Sequence, residues 1–267
     1  MNNALVKTIL ILAASALLSG CFGSRVQLSE HERKISDLNE RALGSAAKGY
    51  ATDAQELLQE ALRLASAQDD RNGVSLTLLN QSRLARHDGK LQLAAQLVEQ
   101  ALANAGGTSQ YADAAQEKAL QELAANRLAE AGRWARISLT SEQGNLQGRR
   151  LNLLARIALM TGDKTEAARL AEAALAANKR DGAELERANS LRMLGLITAQ
   201  ERQFDKAEEL LQEALKLDKQ QEASAKIATD LEALAELAGL QGNKELQQGY
   251  LQRAKTVREH SKVISKQ

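Results

Sequence analysis

The sequence predicts an all-α protein, a solenoid of about six helical hairpins preceded by a short export signal. The 267 residues contain no proline, although ordinary usage of roughly 5% would give about 13. Hydrophobic residues make up 44% of the chain, which is enough for a sizeable core. A segment of about 40 residues also recurs along the chain, and such a period is typical of repeat architectures.

Four segments of ten residues are versions of one another: DAQELLQEAL (53–62), LAAQLVEQAL (93–102), EAARLAEAAL (166–175) and KAEELLQEAL (206–215). Aligning the chain on one position of these segments gives six units. Their anchor residues are Ala54, Ala94, Ala131, Ala167, Ala207 and Gln247, with spacings of 40, 37, 36, 40 and 40. Because each unit buries its faces against its neighbours, we expect the six to stack.

The columns of this alignment support the register. The residues seven after the anchor are all small: Ala61, Ala101, Ser138, Ala174, Ala214 and Ala254. The residues five before it, where a tight turn between two helices needs a left-handed backbone, are Gly49, Gly89, Asn126, Gly162, Arg202 and Gly242. The residues twelve before it, where small side chains allow close helix packing, are Ala42, Ser82, Ala119, Ala155, Gly195 and Ala235.

Helix-capping signals agree with the hairpins. Ser29 and Glu32 have the spacing of a capping box at the start of the first helix. Thr52, Asp163 and Asp205 are each followed three residues later by an acid or amide, which predicts the N-caps of three second helices. A single long coiled coil is the alternative, but the recurring glycines interrupt the seven-residue seam that it would need.

The pattern resembles the tetratricopeptide repeat (TPR). The fifth unit matches it best, with Leu191, Leu194-Gly195, Phe204, Ala207 and Ala214 at the signature spacing. The chain departs from the family in its longer period, in the absence of the closing proline and in the first helix of the third unit, whose register is weak. The resemblance implies a right-handed α-α superhelix with the first helix of each hairpin on the concave side.

The N-terminus predicts export and a lipid anchor. Residues 1–20 have one early cation, Lys7, and an apolar run that is too short to span a membrane. The run ends in Leu18-Ser19-Gly20-Cys21, which resembles the lipobox of bacterial lipoproteins. That resemblance implies cleavage before Cys21, its acylation, including by palmitate, and, with Phe22 following, the periplasmic face of the outer membrane. Residues 21–28 would be the tether and 29–267 the repeat domain; a plain secreted protein is the alternative.

Charge and composition give little indication of chemistry. The formal net charge of +1 offers no basic excess for nucleic acid. His31, His87 and His260 lie in different units, so no metal site is predicted, and no motif for a cofactor or for catalysis is present. Acidic pairs such as Glu184 and Glu186 are expected on solvated helix faces. We therefore expect a protein that is not an enzyme.

Binding is the activity that the resemblance implies. In TPR proteins the concave groove holds peptides, and the family register places seven basic or amide side chains at or beside it: Asn80, Arg83, Arg149, Asn152, Arg156, Asn189 and Arg192. Arginine can bind a carboxylate with two hydrogen bonds and asparagine can bind an extended backbone, so a protein or peptide partner in the cell envelope is expected. The alternative is that these side chains are ordinary solvated helix faces.

Several roles fit such an adaptor. Lipoproteins that assist type IV pilus secretins resemble the chain in size, anchor and repeat number. Regulation of peptidoglycan or outer-membrane assembly, an unrecognised enzyme of those pathways, and self-association through the last hairpin are the alternatives.

Overall fold

The computed structural model describes residues 29–264, with side chains up to His260, and these residues form twelve α-helices in a superhelical stack. The predicted export signal, Cys21 and the predicted tether lie outside the described residues. The helices are α1 (Glu30–Ala47), α2 (Ala51–Ala67), α3 (Arg71–His87), α4 (Leu91–Ala105), α5 (Tyr111–Ala124), α6 (Leu128–Thr140), α7 (Gln147–Met160), α8 (Lys164–Arg180), α9 (Glu184–Gln200), α10 (Phe204–Gln220), α11 (Ser224–Leu240) and α12 (Lys244–Ile264).

The helices pair into six hairpins, α1–α2 to α11–α12, as the alignment predicts. The turn inside each hairpin has a left-handed residue at the predicted position, and this includes Asn126 (φ 58°) and Arg202 (φ 62°), which are not glycine. None of the helices in residues 29–264 is long and apolar enough to cross a membrane.

The small-residue columns are buried as predicted. Ala61, Ala101 and Ala174 are fully shielded from solvent, and the buried Ala119 and Ser138 place the third unit in the expected register. At Gly195 a Cβ atom would lie 2.7 Å from the side chain of Leu211, so glycine is what allows α9 to approach α10.

The cap predictions are right at two of four positions. The Ser29–Glu32 capping box forms, with reciprocal bonds of 3.1 and 2.7 Å, and Asp163 caps α8 by accepting from the backbone N–H of Glu166. Thr52 and Asp205 lie inside their helices instead. The turn explains the difference, because the N-cap is the residue directly after the left-handed residue of the turn. Thr52 and Asp205 come two residues later in the chain than these N-caps, Tyr50 and Gln203.

The first helices of the hairpins line one side of the stack. They contact one another at four of the five junctions between hairpins, and only α5 and α7 lie farther apart, whereas the second helices make no comparable contacts with each other in the described chain. The row of first helices is therefore the inner, concave side.

Candidate functional site

Polar side chains connect the first helices at every junction along the concave side. We call these contacts the inter-hairpin bridges. At the first junction Asn39 of α1 donates from Nδ2 to Thr77 Oγ1 of α3 at 3.0 Å, and Asn80 donates from Nδ2 to Asn39 Oδ1 at 2.9 Å. All three side chains are buried, so their polar groups are satisfied inside the protein.

The second junction is held by a buried carboxylate. Glu117 of α5 is 2% exposed and accepts hydrogen bonds from Arg83 Nε at 2.6 Å and from Arg86 Nη1 at 3.0 Å. Arg83 also donates from Nη1 to Asn80 Oδ1 at 3.0 Å, which links this bridge to the first one.

The third junction is held by a buried guanidinium. Arg150 of α7 is 1% exposed, and it donates to Gln116 Oε1 and Asp113 Oδ1 of α5 at 2.5 Å each. Its Nε donates to Glu142 Oε2, in the loop before α7, at 2.9 Å. The two carboxylates offset the cost of burying the cation.

The fourth junction is a network of amides and hydroxyls. Asn152 of α7 donates from Nδ2 to the backbone oxygen of Glu186 at 2.9 Å, and Ser190 donates to Asn152 Oδ1 at 2.7 Å. The carboxylate of Glu186 also accepts from Asn189 Nδ2 at 2.9 Å. The expectation of a solvated Glu186 is therefore wrong, because two amide side chains of the bridge bind it.

The fifth junction contains two buried carboxyls on one arginine. Arg192 of α9 donates from Nε to Asp230 Oδ1 and from Nη2 to Asp218 Oδ2, both at 2.5 Å. Asp218 and Asp230 are fully shielded from solvent, and one oxygen of each has no hydrogen-bond partner. Burial raises the pKa of Asp218, and it raises the pKa of Asp230 from 3.8 to about 6. Burial likewise lowers the pKa of the neighbouring Lys226.

The seven predicted groove residues divide into two groups. Five of them are engaged in the inter-hairpin bridges: Asn80, Arg83, Asn152, Asn189 and Arg192. Arg149 is half-buried and Arg156 is exposed, both on α7, and neither has an ion pair or hydrogen bond from its side chain within the described chain. The cations free to meet a partner are thus fewer than the sequence predicted.

The sequence analysis missed most side chains of the bridges, including the four buried charged groups Glu117, Arg150, Asp218 and Asp230. A signal for two of these four is present in the sequence. Arg83 and Glu117 are 34 residues apart, and Arg192 and Asp230 are 38 apart. Since both offsets are close to one repeat, they place complementary groups on adjacent first helices.

No group of three or more histidine, cysteine or acidic side chains within residues 29–260 is arranged to hold a metal ion. His31 instead contacts the backbone oxygen of Leu64 at 3.1 Å, and His260 that of Thr256 at 2.9 Å.

No family model matches the sequence, and no curated protein matches it. Solved structures do match the fold. PilW, a widely conserved type IV pilus biogenesis factor, aligns with a TM-score of 0.60 and 14% identity, over 81% of this chain and 90% of that chain. The Rap conjugation gene regulator of plasmid pLS20, in complex with the Phr* peptide, aligns with a TM-score of 0.72 and 14% identity, over 90% of this chain and 66% of that chain.

A third solved structure that matches the fold consists of TPR-like repeats. The TPR-like repeats of a putative kinesin light chain from Podosopora anserina align with a TM-score of 0.54 and 18% identity, over 74% of this chain and all of that chain. At sequence identities this low, the structural similarity establishes the fold and does not establish the function. The described residues therefore form a TPR-like superhelical repeat fold.

Proposed function

We propose that the protein is a non-enzymatic adaptor of the bacterial cell envelope, lipid-anchored through Cys21 at the periplasmic face of the outer membrane, whose concave side binds a protein or peptide partner. The TPR-like fold supports a binding role, since it offers an extended concave surface on a fixed scaffold. The lipobox-like Leu18-Ser19-Gly20-Cys21 supports the anchor.

The observation that carries this proposal is the pair of free arginines on α7. Arg149 and Arg156 are on the concave helix of the fourth hairpin, and both lack a partner in the described chain, while the neighbouring Arg150 is buried and fully paired. An unpaired arginine offers five N–H donors and a permanent charge to a carboxylate or a backbone carbonyl. An acidic segment of a partner is the ligand that matches them.

The experiment is capture of partners by crosslinking in the periplasm, with the lipidated chain expressed in its native cell. The test variant is Arg149→Glu with Arg156→Glu. The matched control is Lys206→Glu with Lys216→Glu, which makes the same change of charge at exposed positions of the second helix α10. Arg192 is left unchanged because it holds the two buried carboxyls of the fifth junction.

We expect one envelope complex to be enriched with the wild type and the control, and to be lost with the α7 variant. Equal capture by all three proteins would refute binding through these arginines. Circular dichroism of each variant establishes that the helical fold is retained.

Assembly of a type IV pilus or its secretin is the first specific role to test. PilW has a similar fold over most of both chains and is a pilus biogenesis factor, which is the reason to include secretin subunits among the expected captured proteins. Capture of peptidoglycan synthases or of outer-membrane assembly proteins would favour the alternative role in those pathways.

Self-association by stacking of the last hairpin is less favoured. Leu251 is 46% exposed, whereas its counterparts in the other hairpins, such as Leu58 and Leu211, are buried. However, Lys255 replaces the buried Leu215 of the preceding hairpin, so the end face carries a charge where a stacked copy would need an apolar side chain. Gel filtration of the full chain tests this interpretation.

A further inference from the structure

The concave side has a cavity between the first and second hairpins. The arginines of α7 belong to the fourth hairpin and do not line it. Its volume is about 780 Å³, within the range of ligand sites. We call it the first-junction pocket. It is lined by Ala42, Leu43, Ala46, Ala47, Lys48, Gly49 and Tyr50 at the end of α1 and the turn, by Ala54 and Leu58 of α2, and by Asn80, Arg83, Leu84 and His87 of α3.

The pocket is open because this junction is less filled than the later ones. Leu84 is half-buried, but the residues in the same repeat position of the last three hairpins, Ile157, Ile197 and Leu237, are at most 5% exposed. Small side chains on α1 leave space in front of Leu84, and Leu43 and Tyr50 at the rim are 45% and 53% exposed. Covering this apolar surface with an apolar side chain of a ligand removes it from water, which favours binding.

The polar part of the lining is entirely basic or neutral. Lys48, Arg83 and His87 contribute to the wall, and no lining residue is acidic. The guanidinium of Arg83 is fixed by two bonds, from Nε to Glu117 and from Nη1 to Asn80, while its Nη2 has no acceptor in the described chain. A donor that is already oriented loses little conformational entropy when it binds a ligand.

We propose that the first-junction pocket binds an acidic segment of a partner protein, with one large apolar side chain of that segment inserted between α1 and α3 and a flanking carboxylate bound by Arg83 Nη2. The cavity accepts the apolar side chain, and the basic lining selects the acidic flanks. This site rests on the proposed protein-binding role, but it uses side chains of the first two hairpins and none from α7.

The test measures fluorescence anisotropy of a labelled peptide with the purified full chain. The probe is acetyl-Glu-Glu-Leu-Phe-Glu-Glu-amide. One control peptide has Lys in place of every Glu, and a second has Ser in place of Leu and Phe. We expect each control to bind at least tenfold more weakly than the probe. Equal affinity for the Lys control would overturn the charge complementarity, and equal affinity for the Ser control would overturn the insertion.

Variants locate the site. Ala47→Phe fills the pocket from an exposed position, and Ala124→Phe places the same side chain at the equivalent exposed position of the third hairpin. Lys48→Glu reverses one charge of the lining, and Lys164→Glu reverses an exposed charge at another turn. We expect at least tenfold weaker binding for Ala47→Phe, severalfold weaker for Lys48→Glu, and no change for the two controls.

The Arg149→Glu, Arg156→Glu variant separates this inference from the adaptor proposal. The α7 arginines can bind the acidic residues of the probe and of its Ser control alike, but they lie outside the pocket lining, so we expect this variant to keep the preference for the probe over the Ser control and Ala47→Phe to lose that preference. If the α7 variant loses the preference while Ala47→Phe retains it, the first-junction pocket is not the site, although the adaptor proposal stands. Failure of the wild type to bind the probe at all would also overturn the inference.

Discussion

The substitution Asp230→Asn should stabilise the protein at neutral and alkaline pH. In the wild type Asp218 and Asp230 both face Arg192, and Asp218 Oδ1 and Asp230 Oδ2 are buried without donors. An asparagine at this position can accept from Arg192 Nε with its oxygen and donate from Nδ2 to the oxygen of Asp218. It also leaves one carboxylate for one guanidinium, which removes the repulsion between two buried charges.

The magnitude follows from the pKa of Asp230. Because the folded-state pKa, about 6, lies above the ordinary value of 3.8, the folded state binds a proton more tightly than the unfolded chain does. The stability from this proton is fully present below the unfolded pKa and is lost as the pH rises through 6. A difference of about 2 pKa units corresponds to about 3 kcal/mol in total, of which about 1 kcal/mol falls between pH 5 and pH 8.

The assay compares urea denaturation of the variant and the wild type from pH 5 to pH 8, followed by circular dichroism. Because a repeat array need not unfold as one unit, hydrogen exchange of the α9 and α11 amides reports the local opening. We expect the advantage of the variant to grow with pH by about 1 kcal/mol. A difference that is independent of pH, or a variant less stable than the wild type at pH 8, would show that the two carboxyls do not compete for Arg192.

Three further changes test the fold and the anchor. Arg202→Gly should raise the free energy of unfolding by roughly 0.5 to 1 kcal/mol, measured by urea denaturation, because Arg202 holds a left-handed backbone; destabilisation would contradict this. Arg150→Met should lower it by about 3 to 5 kcal/mol, since Asp113 and Glu142 would lose their cation, and a loss below about 1 kcal/mol would mean that the third bridge is not structural. Cys21→Ser should move the protein from the membrane fraction to the soluble periplasmic fraction, and intact mass should show the loss of the acyl chains.

The fold could be predicted because the packing of a solenoid repeats in the sequence. Each hairpin meets the same geometric needs, so the same columns must hold small residues, as at Ala54 and Ala207, or accept a left-handed backbone, as at Gly49. The cap at Thr52 was wrong because its position depends on where the turn ends, and a general capping pattern does not include that geometry. The third unit, whose register is weak in the sequence, follows the common alignment in the structure, since Ala119 and Ala131 occupy the same repeat positions as Gly195 and Ala207 and are buried.

The site was harder to predict because a position on the concave helix has two possible environments. A polar side chain there can point into the groove, or it can reach the next first helix one repeat away. Arg149 and Arg150 are adjacent in the sequence and lie on the same helix. Arg150 is nevertheless buried with three partners, whereas the side chain of Arg149 has none in the described chain. Helical position gives the direction of a side chain, whereas the partner depends on the sequence of the neighbouring hairpin.

The inter-hairpin bridges also limit which charged groups of the concave side are available to a partner under the proposed function. Removing one partner of a buried ion pair costs about 3 to 5 kcal/mol, so Arg150 and Arg192, whose guanidinium nitrogens all have partners inside the chain, are poor ligands for a mobile partner. Arg83 differs because its Nη2 has no acceptor in the described chain. In the proposed function, ionic recognition therefore uses this Nη2 together with Arg149 and Arg156 of α7. If both proposals hold, a partner that binds both sites must present acidic groups at the spacing that separates them.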